Sequence, residues 1–287
     1  MVKELFTEIR ENKRKAYIIL GAIMGIFLFF NYIVWRVADG DIGVLFSGIT
    51  LLYMAITYTK PMEMATYFVG AKKVSDEDSL VSQKLNNILE EMVIAGMLAK
   101  KPDLYIIESG QVNAFAISHG KKAAIGVTRG LVEKLNREEI KGVIAHEVSH
   151  IMHGDSDLKL TAFVFAAGVY TLGWLIVRTR GGGRRKNSGG LILVGLAAMT
   201  IGYLLALLMS AFMSRKQETA ADVEAVRLTR DRDAFISALK KVRDSSKEKL
   251  DVPGTAASLF FSPPSIKSLF ATHPPIEERI KLVEELA

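Results

Sequence analysis

The residues best suited to chemistry form one short pattern, H-E-V-S-H at residues 146–150. On a helix, His146 and His150 leave the same face one turn apart, so their ring nitrogens can reach one zinc ion at about 2.0–2.1 Å. Glu147 lies beside the first histidine and can take a proton from an attacking water. The pattern therefore predicts a metal-dependent hydrolytic site, with His146 and His150 as ligands and Glu147 as general base.

The residues around this pattern predict the helix that would carry it. Asn136 is a preferred helix N-cap, and Glu139 three residues later can complete a capping box. Apolar residues then recur at helical spacing: Ile140, Val143, Ile144, Val148 and Ile151. Gly154 is expected to end the helix. A helix this apolar suits a buried position.

A third ligand is needed, because a catalytic zinc takes three protein ligands and keeps one position open. The chain has no cysteine, so the ligands must be histidines and carboxylates. The segment S-R-K-Q-E-T-A-A-D at 214–222 places Glu218 and Asp222 four residues apart on one helical face, with two small alanines between them. We predict that Glu218 binds the metal and that Asp222 accepts a hydrogen bond from a ligand histidine. His153 is the alternative third ligand.

Composition indicates a membrane protein. Hydrophobic residues make up 49% of the 287 residues, and the net charge is +6. The positively charged residues flank the apolar segments, as they do in membrane proteins. No aromatic–basic patches typical of RNA binding are present, so we expect no nucleic-acid partner. Four uncharged runs lie at 16–35, 42–59, 160–177 and 191–213, and the first of them is long enough to cross about 30 Å of lipid as a helix. The first run is longer than the apolar part of a signal peptide and lacks a cleavage site, which favours a retained anchor.

These features predict a mostly α membrane protein with an α+β zincin-type catalytic domain, four apolar helical segments and a small sheet. Its expected parts are a tail and transmembrane hairpin (1–60), the first catalytic half (61–159), a second hydrophobic hairpin with a basic Gly-rich loop (160–213), and the second catalytic half (214–287). Strands are predicted at 104–107, 113–117 and 123–127. Helices are predicted at 75–99, 130–135, 136–154, 217–228, 233–243 and 276–286.

Topology follows from the requirement that both catalytic halves share one compartment. The basic N-terminus predicts a multi-pass protein of the cell membrane whose active site faces the cytoplasm. Five positive charges at 178–186 conflict with this orientation if the second hairpin crosses the membrane. Whether the segments 160–177 and 191–213 span the bilayer fully or enter it only shallowly therefore stays open.

The motifs together resemble the HtpX membrane metalloproteases, relatives of the CAAX prenyl proteases within the gluzincins. The shared features are H-E-V-S-H, the 214–222 segment, and T-H-P-P at 272–275 followed by Glu278 and Arg279. The resemblance covers nearly the whole chain. It implies one Zn²⁺ per chain held by His146, His150 and Glu218, and cleavage of misfolded or membrane proteins in quality control and the stress response.

The resemblance also assigns residues outside the metal motifs. It brings His273 and Arg279 toward the active site, where either could donate to the oxyanion of the reaction; for His273 the alternative is a surface position beside the Pro-Pro turn. It makes Asn113, Ala114 and Phe115 the edge strand that binds an extended substrate.

Two other functions are compatible with a membrane protein of this composition. One is a catalytically inactive scaffold, against which the retained Glu147 argues. The other is a metal transporter, which would place ionisable residues inside the apolar runs, and these runs contain none. Natural substrates, cleavage preference and oligomeric state are not determined by the sequence.

Overall fold

The computed structural model describes residues 18, 21–22, 24–33, 35–36, 40–74, 79–154, 157–180, 188–211, 215–245 and 275–286. The helices are α1 Gly40–Thr59, α2 Pro61–Phe68, α3 Ser79–Ala95, α4 Arg129–Lys134, α5 Arg137–His153, α6 Asp157–Arg180, α7 Ser188–Ala211, α8 Arg215–Thr229, α9 Arg232–Ser245 and α10 Ile276–Glu284. The strands are β1 Lys72–Lys73, β2 Asp103–Ile107, β3 Ala114–His119 and β4 Lys122–Thr128. A mostly helical fold with a small sheet is confirmed, while α2 and β1 were not predicted.

The chain divides into two compact units. The first combines residues 1–64 with 158–209, and the second combines residues 65–157 with 210–287. The second unit contains the sheet and all the predicted metal ligands. The chain therefore leaves this unit after α5 and returns to it before α8, so the two ligand-bearing segments belong to one compact body.

The sheet has the strand order β1-β2-β4-β3. β2 and β4 are parallel, whereas β3 and β4 form an antiparallel hairpin. The hairpin loop is Gly120-Lys121, and Gly120 has a φ of 60°, a conformation that favours glycine at the first position of a two-residue loop. In the described part of the chain β3 forms one edge of the sheet.

Phe115 and Gly126 are cross-strand partners on β3 and β4. A Cβ atom at Gly126 would lie 2.1 Å from Cε1 of Phe115, so the aromatic ring covers the glycine directly. Phe115 is fully buried. The absence of a side chain at residue 126 thus leaves room for the ring inside the sheet packing.

Helix α5 begins and ends as its sequence predicts. The Asn136 side chain accepts from the backbone N–H of Glu139 at 2.9 Å, and the Glu139 carboxylate accepts from the backbone N–H of Asn136 at 2.7 Å. Gly154 ends the helix in the left-handed conformation, with a φ of 66°. The capping box and the helix end are both confirmed.

Glu139 also ties α5 to α9. Its buried carboxylate accepts a hydrogen bond from the Ser237 hydroxyl at 2.6 Å and from the Lys241 ammonium at 2.7 Å. Burial raises the pKa of Glu139, but these two donors outweigh it and hold the pKa below its usual range. A buried carboxylate is tolerated here because it is fully hydrogen-bonded.

The core of the second unit lies around α5. The apolar side of α5 packs against α3, α8, α9 and the sheet. The apolar cluster formed there includes Leu85, Ile88, Leu89, Ile125, Val127, Ile140, Ile144, Phe235 and Leu239. Gly142 allows the close approach of α9, because a Cβ there would lie 3.0 Å from Cδ2 of Phe235. This packing holds α5 rigidly in the middle of the unit.

The first unit is helical in all four uncharged runs wherever the structure describes them. Helices α6 and α7 approach closely at Gly173 and Gly195, since a Cβ at residue 173 would lie 2.5 Å from the Gly195 carbonyl oxygen. The Tyr53 hydroxyl donates to the Val164 carbonyl at 2.6 Å. Among the described residues, no helix combines the length and apolar character needed to cross a membrane. The four membrane spans stay predictions.

Candidate active site

The site begins with two histidines on α5. The Nε2 atoms of His146 and His150 lie 3.1 Å apart, as expected for imidazoles one helical turn apart on the same face. His146 is fully buried, and the His150 side chain retains a small exposed area. Both rings therefore direct a nitrogen toward one point at the surface of α5.

Glu218 on α8 faces the two histidines. Its Oε2 atom is 3.6 Å from Nε2 of His146, and its Oε1 atom is 3.5 Å from Nε2 of His150. Ligand atoms about 2.05 Å from a tetrahedral metal ion are about 3.3 Å from one another, so these separations fit a metal ion held by three ligands. Among the described residues, these three side chains form the group that could hold a metal ion, with ligand atoms within 4.8 Å of one another.

Small residues on α8 permit this approach. Ala221 and Ala225 are buried, and Ala225 belongs to the core cluster beside α5. Ala220, which the sequence suggested as a second close-contact residue, is exposed instead. The reason is helical geometry, since Ala221 and Ala225 are four residues apart and share the face that carries Glu218 and Asp222, while Ala220 does not.

Asp222 lies behind His146. Its Oδ1 atom is 3.0 Å from Nδ1 of His146, and both residues are fully buried. Because a carboxylate accepts, this contact places the ring proton on Nδ1 and leaves the lone pair of Nε2 directed at the ligand cluster. Burial lowers the pKa of His146, but the Asp222 and Glu218 carboxylates outweigh it and raise the pKa to about 9, so a metal ion that binds Nε2 would displace a proton from it.

Arg279 on α10 completes this side of the site. Its Nε and Nη2 atoms donate to the two Asp222 oxygens at 2.9 Å and 2.6 Å, and Nη2 lies 3.4 Å from Nδ1 of His146. The guanidinium is buried in the same pocket of side chains. Burial raises the pKa of Asp222, but the Arg279 and His146 charges outweigh it and hold the pKa below its usual range. The contacts of Arg279 favour a positioning role.

Glu147, the residue after His146 on α5, is also buried. Burial and, to a lesser degree, the nearby Glu218 carboxylate raise the pKa of Glu147 to about 7, against the opposing effects of His146, Arg279 and a backbone hydrogen bond from Ala116. A carboxyl group of this pKa can both accept and release a proton at neutral pH. Glu147 is close enough to His146, Glu218 and Arg279 for their charges to influence its pKa.

Comparison with known proteins is decisive at this point. The model for Peptidase family M48 matches residues 79–287. The chain belongs to peptidase family M48. It is 36% identical over 298 residues to a Protease HtpX homolog of Thermoanaerobacter pseudethanolicus, with 99% of this chain and 98% of that protein covered. The corresponding protein of Streptococcus thermophilus is 31% identical, with 98% of this chain and 100% of the relative covered.

This M48 chain is thus a metalloprotease, and the resemblance to HtpX proteases is confirmed. A crystal structure of S. mikatae Ste24p is also similar, with a TM-score of 0.43 and 18% identity, covering 99% of this chain and 66% of that one.

The edge strand β3 of this M48 protease lies beside Glu147. The Thr128 N–H donates to the Asn113 carbonyl at 3.0 Å, so the backbone groups of residue 113 face β4. Alternation along an antiparallel pair then directs the backbone groups of Ala114 and Ala116 away from β4. The Ala116 N–H therefore points away from β4, and it donates a hydrogen bond to Glu147. Ala116 was not singled out from the sequence, because its contact with Glu147 depends on how β3 packs against α5.

The three predicted substrate-binding residues, Asn113, Ala114 and Phe115, are fully buried. The Asn113 amide group donates to Gln111 at 3.5 Å, and its oxygen accepts from the Ala114 N–H at 3.0 Å. Their side chains are therefore engaged inside the M48 domain. Contact with a substrate at this strand would have to be made by the backbone.

Two further residues were considered for the site from the sequence. His273 falls outside the described residues. His153 directs Nδ1 at its own helix, 2.7 Å from the Ser149 carbonyl oxygen, and is not part of the cluster that could hold a metal. The structure therefore does not support His153 as the alternative third ligand, because its ring bonds the preceding turn of α5.

Proposed function

We propose that this M48 metalloprotease is a zinc-dependent endopeptidase embedded in the cell membrane, which hydrolyses misfolded or membrane proteins in protein quality control. The observation that carries the proposal is the convergence of His146, His150 and Glu218 beside a buried Glu147. The catalytic unit faces the cytoplasm, as the basic N-terminus indicates.

One zinc ion per chain would be held by His146, His150 and Glu218. Two imidazoles and one carboxylate are a donor set found in catalytic zinc sites of proteases. When bound, zinc supplies a Lewis acid that polarises the substrate carbonyl and makes a water molecule more acidic. Asp222 and Arg279 hold the His146 ring in the orientation that this binding needs.

Glu147 acts as the general base and then as the general acid. It takes a proton from the attacking water, and it returns a proton to the amine nitrogen as the peptide C–N bond breaks. The products are a carboxylate and an amine, so the proton count balances with one water consumed. The hydrogen bond from Ala116 orients the Glu147 carboxylate toward the substrate strand.

An extended substrate would pair with the edge strand β3. The N–H groups of Ala114 and Ala116 donate to Asn113 and Glu147, so the pairing would use the carbonyls of these residues, which point away from β4. Backbone pairing gives affinity with little dependence on side-chain identity. Such recognition suits unfolded polypeptides of varied sequence.

Since Arg279 is held on Asp222, His273 is the better candidate for a donor to the oxyanion.

Membrane attachment is supported by the four uncharged runs of the sequence. The runs at 160–177 and 191–213 lie between the two ligand-bearing segments, so the membrane hairpin would be inserted into the catalytic unit rather than appended to it. A protease built in this way would act on chains that emerge from the bilayer.

The experiment uses the full-length protein purified in detergent. We expect stoichiometric zinc and cleavage of casein, loss of cleavage when a chelator removes the metal, and recovery when zinc is restored. The Glu147→Gln variant should retain zinc without cleaving. A parent protein that holds zinc but cleaves nothing would contradict the proposal and favour an inactive scaffold.

A further inference from the structure

We infer that the turn following α3 rests on an anionic lipid surface. The surface consists of Ile94, Met97, Lys100 and Lys101, and is called the lipid-facing turn below. The inference rests on the proposed membrane attachment and specifies which face of the catalytic unit would contact lipid.

The two apolar side chains of the turn are unusually exposed. Ile94 is 71% exposed and Met97 is 91% exposed. Met97 also has a φ of 51°, in the left-handed region where a helix end normally has glycine. The backbone bond from Leu98 N–H to the Val93 carbonyl, at 3.0 Å, closes this helix end without using the Met97 side chain. A large apolar residue is therefore kept in a strained conformation while its side chain contributes nothing to internal packing.

The turn packs against the C-terminal end of α5. A Cβ atom at Gly96 would lie 3.0 Å from Sδ of Met152, so the two segments are in direct contact. Met152 follows the ligand His150 by two residues, and α5 ends at Gly154. The chain then continues into the apolar run 160–177. The turn thus adjoins the part of the catalytic unit from which the chain departs toward its predicted membrane segment.

Charge next to the apolar residues indicates the kind of surface. Lys100 and Lys101 are exposed, and the Lys101 ammonium is 3.9 Å from the Glu90 carboxylate, a long contact between two solvent-exposed side chains. Lysine stems extend along apolar surface while their ammonium groups reach lipid phosphates. Apolar residues flanked by lysines are the combination that anionic bilayer surfaces attract. A lipid contact here would hold the His150 end of α5 at the membrane surface, where emerging substrates arrive.

The test uses the absence of cysteine in the chain. A nitroxide attached to a Met97→Cys variant is a unique probe, and the full-length protein is reconstituted in vesicles of phosphatidylcholine and phosphatidylglycerol. Collision of the nitroxide with oxygen, which dissolves in lipid, is compared with collision with a water-soluble nickel chelate. We expect the ratio of oxygen to nickel collisions at residue 97 to be several-fold higher than the ratio for a nitroxide that is fully exposed to water.

Leu80→Cys is the matched control. Leu80 is 84% exposed on the same helix, and its backbone is about 21 Å from that of Ile94 along the axis. A nitroxide at residue 80 should report an aqueous environment. Reversing both lysines to glutamate should reduce the oxygen preference at residue 97 in anionic vesicles and leave it unchanged in pure phosphatidylcholine.

The outcomes separate this inference from the proposed function. Casein cleavage by the labelled protein tests the protease, and flotation with vesicles after an alkaline wash tests membrane insertion. A protein that cleaves and floats, but whose nitroxide at residue 97 is aqueous, overturns the lipid-facing turn alone. A nitroxide shielded from both oxygen and nickel indicates a covering protein and also overturns it. A chain that does not bind vesicles contradicts both the lipid contact and the proposed membrane attachment.

Discussion

Arg279 donates two hydrogen bonds to the Asp222 carboxylate, from Nε at 2.9 Å and from Nη2 at 2.6 Å. The same carboxylate lies 3.0 Å from Nδ1 of His146. Three buried side chains from α10, α8 and α5 thus form one connected row that ends at a predicted metal ligand. The last helix of the chain thereby constrains a histidine of the H-E-x-x-H helix 133 residues earlier.

Replacing Arg279 by methionine should destabilise the protein strongly. The substitution leaves the buried Asp222 carboxylate without its positive partner, and breaking a buried ion pair from one side costs about 3–5 kcal/mol. Thermal melting in detergent is the measurement. Arg227→Met is the matched control on α8, because the exposed Arg227 pairs with Glu224 at the surface and should matter little.

The pair can be tested further with a double variant. Arg279→Met combined with Asp222→Leu removes both charges, so its loss of stability should be smaller than the sum of the two single losses. Additive losses would show that the two residues are not coupled.

Glu147→Gln should abolish catalysis while leaving the metal site intact. The amide keeps the shape of the side chain but has no basic oxygen, and loss of general acid–base catalysis lowers rates by about 100–10,000-fold. Zinc content and casein cleavage are measured on the same preparation. Cleavage at the parent rate would show that another group is the base.

Glu218→Ala should lose zinc and activity together, since it removes a predicted ligand. Asp222→Asn should retain zinc but bind it about 10–100-fold more weakly, because it keeps the shape and removes the charge that orients His146. Metal titration distinguishes the two. His153→Ala is the control and should bind zinc like the parent; a loss of zinc in that variant would return His153 to the ligand set.

Gly126→Ala should destabilise the sheet by about 1–3 kcal/mol, since its Cβ would overlap the Phe115 ring and overpacking carries costs of this size. Phe115→Leu in the same protein should recover part of the loss by making room. The melting temperatures of the single and double variants decide this. A Gly126→Ala protein as stable as the parent would show that the ring can move aside.

Ala116→Pro should slow catalysis without removing zinc. Proline lacks the N–H that bonds Glu147, and at an outward-facing edge position it breaks no bond to β4. We expect kcat to fall by about 10–100-fold with a smaller change in KM, because misplacing a catalytic group by about 1 Å has effects of this size. Ser118→Pro, at the next outward position, is the control. Equal losses in both variants would point to general damage of the strand.

Much of the site could be predicted because its geometry is local. Asn136 and Glu139 are three residues apart, and the contacts of a capping box lie within one turn, so their spacing suffices to predict the helix start. The same holds for His146 with His150 and for Glu218 with Asp222, whose i, i+4 spacing places each pair on one face. The strands at 104–107, 113–117 and 123–127 were likewise indicated by apolar runs between turn residues, and each overlaps an observed strand.

What the sequence by itself determined, then, is which residues share a helical face, where α5 starts and ends, and which family motif the chain carries. Only the tertiary structure decided that Arg279 binds Asp222, that the Ala116 N–H reaches Glu147, and that β4 lies between β2 and β3. The physical reason is that a helical or strand repeat dictates neighbours within a few residues. Contacts between residues 57 or 133 positions apart depend on how whole elements pack, and on which buried charges must be paired once they do.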